Sequence, residues 1–174
     1  MASGISTNIG IFVLKQVARL PFRFLYKLSD LFFIVVYRIS GYRKKVVLEN
    51  LKNSFPDKDE KELKLISKKY YRHLCDLITE TIKMGRMKEN DFRERMVFEN
   101  PEEINRFYDK GQSVVVLTMH YNNWEWSSCL PLSVKHKILG VYKPLHNNYF
   151  DVYVNETRGN MGSHLISNSS VLRA

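Results

Sequence analysis

The sequence predicts an α/β protein in which a helical N-terminal segment is followed by a partial parallel-sheet domain. Three observations lead there. The first 42 residues are apolar and basic without strand-like alternation. Residues 58–84 repeat apolar side chains at three- and four-residue steps, the period of a helix. From about residue 96, short β-prone runs alternate with helical ones, and a β-α-β-α-β order implies parallel strands joined by right-handed crossovers. The chain therefore divides into residues 1–42, an amphipathic and apolar helical segment, residues 43–95, a helical region, and residues 96–174, the first part of an α/β domain.

In the first segment, Pro21 restarts the helix because it cannot donate a backbone hydrogen bond. Gly41 ends it, just before the basic patch Arg43-Lys44-Lys45. A short helix over 43–54 runs to a break at Phe55-Pro56. Asp57 and Glu60 form a D-x-x-E start signal for the long helix. Leu63, Ile66, Tyr70, Leu74, Leu77 and Thr81 give that helix one apolar face, with Lys61, Lys64, Lys68, Lys69 and Arg72 largely elsewhere. Met96-Val97-Phe98 suits a short strand. Asn100 and Pro101 then cap and open a helix that Gly111 closes. Ser113–Met119 (SVVVLTM) is nearly continuous in β-branched and apolar side chains, the pattern of a strand buried on both faces. A helix over 123–134, a strand over Lys137–Tyr142, a helix over 147–161 and a strand over His164–Ser167 complete the order. So few strands leave a sheet face and edge poorly covered, so the chain reads as truncated: the front of a larger domain, or a domain completed by a partner.

Composition narrows the function. An apolar fraction of 44% supports a buried core and argues against global disorder. Two cysteines, Cys75 and Cys129, build neither a disulfide framework nor a zinc site, and a reducing compartment is the default. The five histidines are scattered, with no H-E-x-x-H spacing, and no phosphate or dinucleotide loop is present. No metal and no cofactor is therefore expected.

Of the net charge of +9, +7 falls within residues 1–46. Such a segment calls for an anionic partner, and nucleic acid and membrane surface are the usual two. Its many apolar neighbours, including Leu31–Tyr37, favour the membrane, and no nucleic acid is expected. Lys15, Arg19, Arg23 and Lys27 recur every four residues, a basic stripe beside apolar faces that suits the interface of an anionic bilayer. No stretch of about 20 residues lacks a charge, so the segment is a poor spanning helix. It also lacks the single apolar run and cleavage site of a signal peptide.

The chemistry-bearing candidates gather in the last third. His120 follows the SVVVLTM run, and ligands of open α/β sheets bind beyond the carboxyl ends of strands. Glu125 lies five residues on, in HYNNWE. Two groups at i and i+5 of a regular helix diverge by about 140°, so a turn must bring them together. Histidine could then take a proton from a hydroxyl nucleophile while the carboxylate fixes its tautomer. The spacing alone is weak, because His146 and Asp151 in HNNYFD repeat it, though they follow Lys143-Pro144-Leu145 and not a predicted buried strand. Trp124 and Trp126 could line an apolar groove or pack in the core, the core being slightly favoured. Arg158 could pair with a phosphate or an acidic carrier, or be an ordinary surface arginine.

Taken in order, these residues resemble the bacterial lipid A biosynthesis acyltransferases, the lauroyl/myristoyl acyltransferase family, in its N-terminal half. The likeness runs from about residue 20 to about residue 167. It takes in LPFRFLYKLSDLFF, Gly41-Tyr42-Arg43, ENLKNSFP, the helix of 58–84, HYNNWEW with its His-x4-Glu, Tyr142-Lys143-Pro144, and Arg158 with Gly162 before Leu165-Ile166-Ser167. The resemblance implies an O-acyltransferase on the cytoplasmic face of the bacterial inner membrane. It would move an acyl chain from acyl carrier protein to a hydroxyl of a lipid A precursor. His120 would be the general base, Glu125 its partner, and Arg158, Lys143 and Trp124 substrate contacts. It favours the first His-x4 pair over the second. Lys143 stands where arginine is more usual, which weakens any two-pronged role there. An acyltransferase for another lipid, or an inactive membrane-binding fragment, are the alternative expectations. No serine or cysteine sits in a nucleophile elbow, so no covalent acyl-enzyme is required.

Overall fold

The computed structural model describes residues 2–171, with side chains from residue 6. Met1 and residues 172–174, the ends of the first and last predicted segments, lie outside the described residues. Seven α-helices and two strands are described: α1 (Ala2–Val17), α2 (Phe22–Phe33), α3 (Lys44–Ser54), α4 (Glu60–Met84), α5 (Glu89–Arg95), α6 (Glu102–Tyr108), β1 (Leu139–Tyr142), α7 (Asn148–Gly159) and β2 (His164–Ser167). A π-helical stretch, Ile34–Ser40, continues α2, and a 3-10 helix spans Trp124–Leu132. Two compact units result, one of Leu20–Glu80 and one of the chain up to Arg19 together with Thr81 onward. Among the described residues, no helix is long and apolar enough to cross a membrane.

The Leu20–Glu80 unit is helical. Pro21 accepts the first bonds of α2 from Phe24 and Leu25, as its predicted restart requires. Gly41 ends the π-helical stretch in a left-handed conformation at φ 59°. Along α2, Leu25, Ser29 and Phe33 are buried at four-residue steps. Phe33 meets Tyr71 and Cys75 of α4, with Val36, Tyr37, Val47 and Leu74 around them. Ser29 Oγ donates to Asp76 at 2.6 Å, and the Tyr71 hydroxyl donates to the Tyr42 carbonyl.

Two details of α4 differ from the sequence reading. The start signal is Asp59 and Glu62, two residues later than Asp57 and Glu60: Glu62 N donates to Asp59 Oδ1 at 2.7 Å and Asp59 N to Glu62 Oε2 at 3.3 Å. Both pairs have the D-x-x-E spacing, and only the backbone path decides which caps. The buried line is Leu63, Ser67, Tyr71 and Cys75, where Ile66 and Tyr70 were expected. Small Cys75 lets Phe33 at the end of α2 approach, so packing rotates the face by about one residue. Replacing Asp59 with Ala should cost about 1 kcal/mol, read as a lower urea midpoint at unchanged slope.

In the other unit, β1 and β2 pair in parallel, with Leu139 opposite His164 and Tyr142 opposite Ser167. α7 crosses between them. Asn147 caps α7 by accepting from Tyr149 N and Phe150 N, each at 3.1 Å. The parallel order over 137–167 is thus as expected, but among the described residues the sheet has two strands. Ser113–Met119 is an extended segment outside it, with Val115 87% and Leu117 92% exposed. Met96-Val97-Phe98 is likewise no strand. β-branched content says only that a segment suits a pleated, half-buried surface. A ladder also needs a neighbour, and neither run has one. The helix expected over 123–134 is the tighter 3-10 form, with Pro131 inside it. The buried residues of this unit include Met84, Met87, Phe92, Trp126, Cys129 and Tyr153.

Candidate active site

Glu125 occupies the first turn of the 3-10 helix, and Arg158 the last turn of α7. The two meet as a fork. Arg158 Nε donates to Glu125 Oε2 at 2.7 Å, and Nη2 to Oε1 at 2.6 Å. Their side chains are 13% (Glu125) and 27% (Arg158) exposed, so the pair is partly withdrawn from water, where charge-assisted bonds are strong. Hydrogen bonding by Glu125 pushes the Arg158 pKa up, and the charges of Glu125 and Asp151 add to it while burial opposes. The guanidinium is a permanent cation at a fixed place.

Behind the fork lies an apolar cavity. Leu14, Ile82, Met84, Phe150 and Val154 line it, with Glu125 and Arg158 at its edge. It draws on α1, the end of α4 and α7, all within one unit.

His120 lies on the exposed segment before the 3-10 helix. A left-handed Asn122 at φ 50° makes the turn between it and Glu125. The turn that the spacing demanded is present, but the buried strand that was to end at His120 is not. The imidazole packs on the Trp124 ring, centroids 4.6 Å apart at 49°. No hydrogen bond joins His120 to Glu125 among the described residues; the carboxylate's partner is Arg158. Lys143 is exposed just past β1 and makes no ion pair with any of these groups. Trp126 is a core residue, 6% exposed and edge-on to Phe92, while Trp124 is half-buried beside His120.

The second His-x4 match has a structural use. Asp151 Oδ1 accepts from Leu145 N at 2.8 Å, and Oδ2 from Asn155 Nδ2 at 3.1 Å, closing the turn into α7. His146 is exposed and does not bond to it. Cys129 is no nucleophile at neutral pH: burial pushes its thiol up to about 11. Among the described residues, no three His, Cys, Asp or Glu side chains gather as metal ligands.

The fork was missed in the sequence because its members are 33 residues apart on different elements. The only signal was Arg158 at the end of a helix, which reads equally as a surface residue.

Fold and site define a mixed α/β protein whose ionised pair stands against an apolar cavity. The chain belongs to the bacterial lipid A biosynthesis acyltransferase family, whose model matches residues 2–174. It is an acyltransferase of lipid A biosynthesis with a lipid acceptor, from a family that is membrane-associated in bacteria. No curated protein and no solved structure matches it.

Proposed function

We propose that this chain moves a fatty acyl chain from acyl carrier protein to a hydroxyl of a lipid A precursor. The Glu125–Arg158 fork beside the apolar cavity carries this reading. An acyl chain needs an apolar surface, and the reacting carbonyl needs fixed charge next to it. The acceptor hydroxyl attacks the thioester carbon, and its proton passes to His120. The carrier's thiolate leaves and takes up that proton.

Glu125 can serve His120 without leaving Arg158. Each carboxylate oxygen has two acceptor sites, and Arg158 uses one on each. His120, on an exposed segment, turns its imidazole to the remaining sites when substrate is bound. Arg158 holds the carboxylate still, Trp124 offers the imidazole a flat neighbour, and Lys143 meets the substrate from past β1.

The same reading places the chain at the cytoplasmic face of the inner membrane. In the Leu20–Glu80 unit, α2 is apolar on two sides. Leu25 and Phe33 face inward, while Phe24, Leu28, Leu31 and Phe32 stay exposed. The Arg23 guanidinium lies 4.9 Å and the Lys27 ammonium 5.9 Å from the Phe24 ring centroid. An outward apolar face set with cations suits an anionic lipid surface.

The test is product mass spectrometry of the purified chain with acyl carrier protein charged with an acyl group and a hydroxyacylated glucosamine lipid. The expected product is heavier by one acyl group. Acylation of a different lipid alone, or release of free fatty acid alone, sinks the proposed acceptor.

A further inference from the structure

Lys15 belongs to the unit that contains α1 and α7. Its ammonium lies 5.7 Å from the Tyr153 ring centroid, on the wall of a cleft of about 170 Å³. The cleft is formed by the last turn of α1, the turn after α4, and α7. Lys15, Arg86, Tyr153, Glu156 and Asn160 supply its polar lining. No ion pair of Lys15, Arg86 or Glu156 occurs among the described residues, and the two cations outnumber the one carboxylate in the cleft. Lys15 and Arg86 are exposed, and an excess of positive charge around one concavity favours a ligand of opposite sign.

Two further features make the cleft a shaped one. Gly85 floors it where a side chain would crowd it, since an added Cβ would stand 3.3 Å from Thr157 Oγ1 and 3.4 Å from the Tyr153 hydroxyl oxygen. Burial raises the pKa of that hydroxyl, while its hydrogen bond with Thr157 and then the Arg86 charge pull it down. The volume equals the liquid share of about six waters, at roughly 30 Å³ each, which admits one tetrahedral oxyanion. Tyr153 and Thr157 line the apolar cavity as well, so the polar cleft and the apolar cavity share a wall.

We propose that this cleft binds a terminal phosphate, free or as a monoester, held by Lys15 and Arg86 with Tyr153 and Asn160 as further donors. A molecule with a phosphate head and an apolar tail could occupy the cleft and the neighbouring cavity together. This assignment rests on the acyltransferase reading only for what carries the phosphate.

The experiment is NMR titration of the full chain, following the amides of Gly85, Arg86 and Asn160, with inorganic phosphate, soluble dihexanoyl phosphatidic acid and dihexanoyl phosphatidylcholine. Saturable shifts with either of the first two are expected. Saturation by inorganic phosphate marks a free-phosphate site, and saturation by phosphatidic acid alone marks a lipid headgroup site. Lys15→Ala/Arg86→Ala should weaken binding at least about tenfold, while the charge-matched Lys61→Ala/Lys68→Ala, on the exposed side of α4, leaves it unchanged. Glu156→Gln should tighten it roughly twofold to fivefold by removing a like charge. No saturation with either compound, equal binding by the phosphatidylcholine, or equal loss in both double variants overturns the proposal. Binding is read without turnover, so an inactive chain that binds phosphate keeps this site and loses only the transfer reading.

Discussion

Replacing His120 with Ala should lower acyl transfer by about 10²- to 10⁴-fold, the range a positioned general base contributes. The loss should fall on kcat, because the imidazole acts on the proton in transit and not on the bound ground state. Stability should change by no more than about 0.5 kcal/mol, since His120 is exposed and its contact among the described residues is with the Trp124 ring. That combination separates a chemical role from a structural one. His146→Ala is the matched control: it has the same spacing to a carboxylate, but Asp151 is committed to Leu145 N and Asn155. Undiminished turnover in His120→Ala, with equal turnover in His146→Ala, would remove His120 as the base.

Arg158→Met should act on both stability and rate. It deletes two short charged bonds and leaves a carboxylate only 13% exposed beside an apolar cavity. Breaking a well-buried pair costs about 3–5 kcal/mol; this pair is partly wet, so about 2–3 kcal/mol is expected in urea unfolding. Arg158→Lys should recover only part, because an ammonium cannot present two parallel donors. Glu125→Gln combined with Arg158→Met should cost less than the sum of the single changes, because the double variant leaves no lone buried charge. Transfer should fall in all of them. A stability loss below about 0.5 kcal/mol for Arg158→Met would show that the fork is not formed in solution.

The two changes probe residues that the sequence presented very differently. His120 and Glu125 were visible as a spacing, and the ordered motifs around them marked the family. The spacing suggested that Glu125 belongs to His120. In the structure Arg158 holds it, because α7 returns along the 3-10 helix and brings a guanidinium to a carboxylate that local order could not pair. The long helix was likewise legible as a period, while its buried line shifted from Ile66 and Tyr70 to Ser67 and Tyr71. Periodicity identifies a helix; which side is buried depends on what packs there.

Ser113–Met119 shows the limit most clearly. Its composition is that of an interior strand, yet a strand exists only through bonds to a neighbouring strand, and among the described residues this segment pairs with none. By contrast, Pro21 and Gly41 act on their own neighbours within a few residues, and their effects were readable without the fold. The sequence by itself thus determined the family, the long helix, the breaks at Pro21 and Gly41, the parallel β1–α7–β2 unit and the His-x4-Glu candidates. These follow from local sterics, capping and period. Tertiary structure alone decided the partner of Glu125, the cavity behind it and the exposure of the segment before it, because each depends on groups far apart in sequence meeting in space.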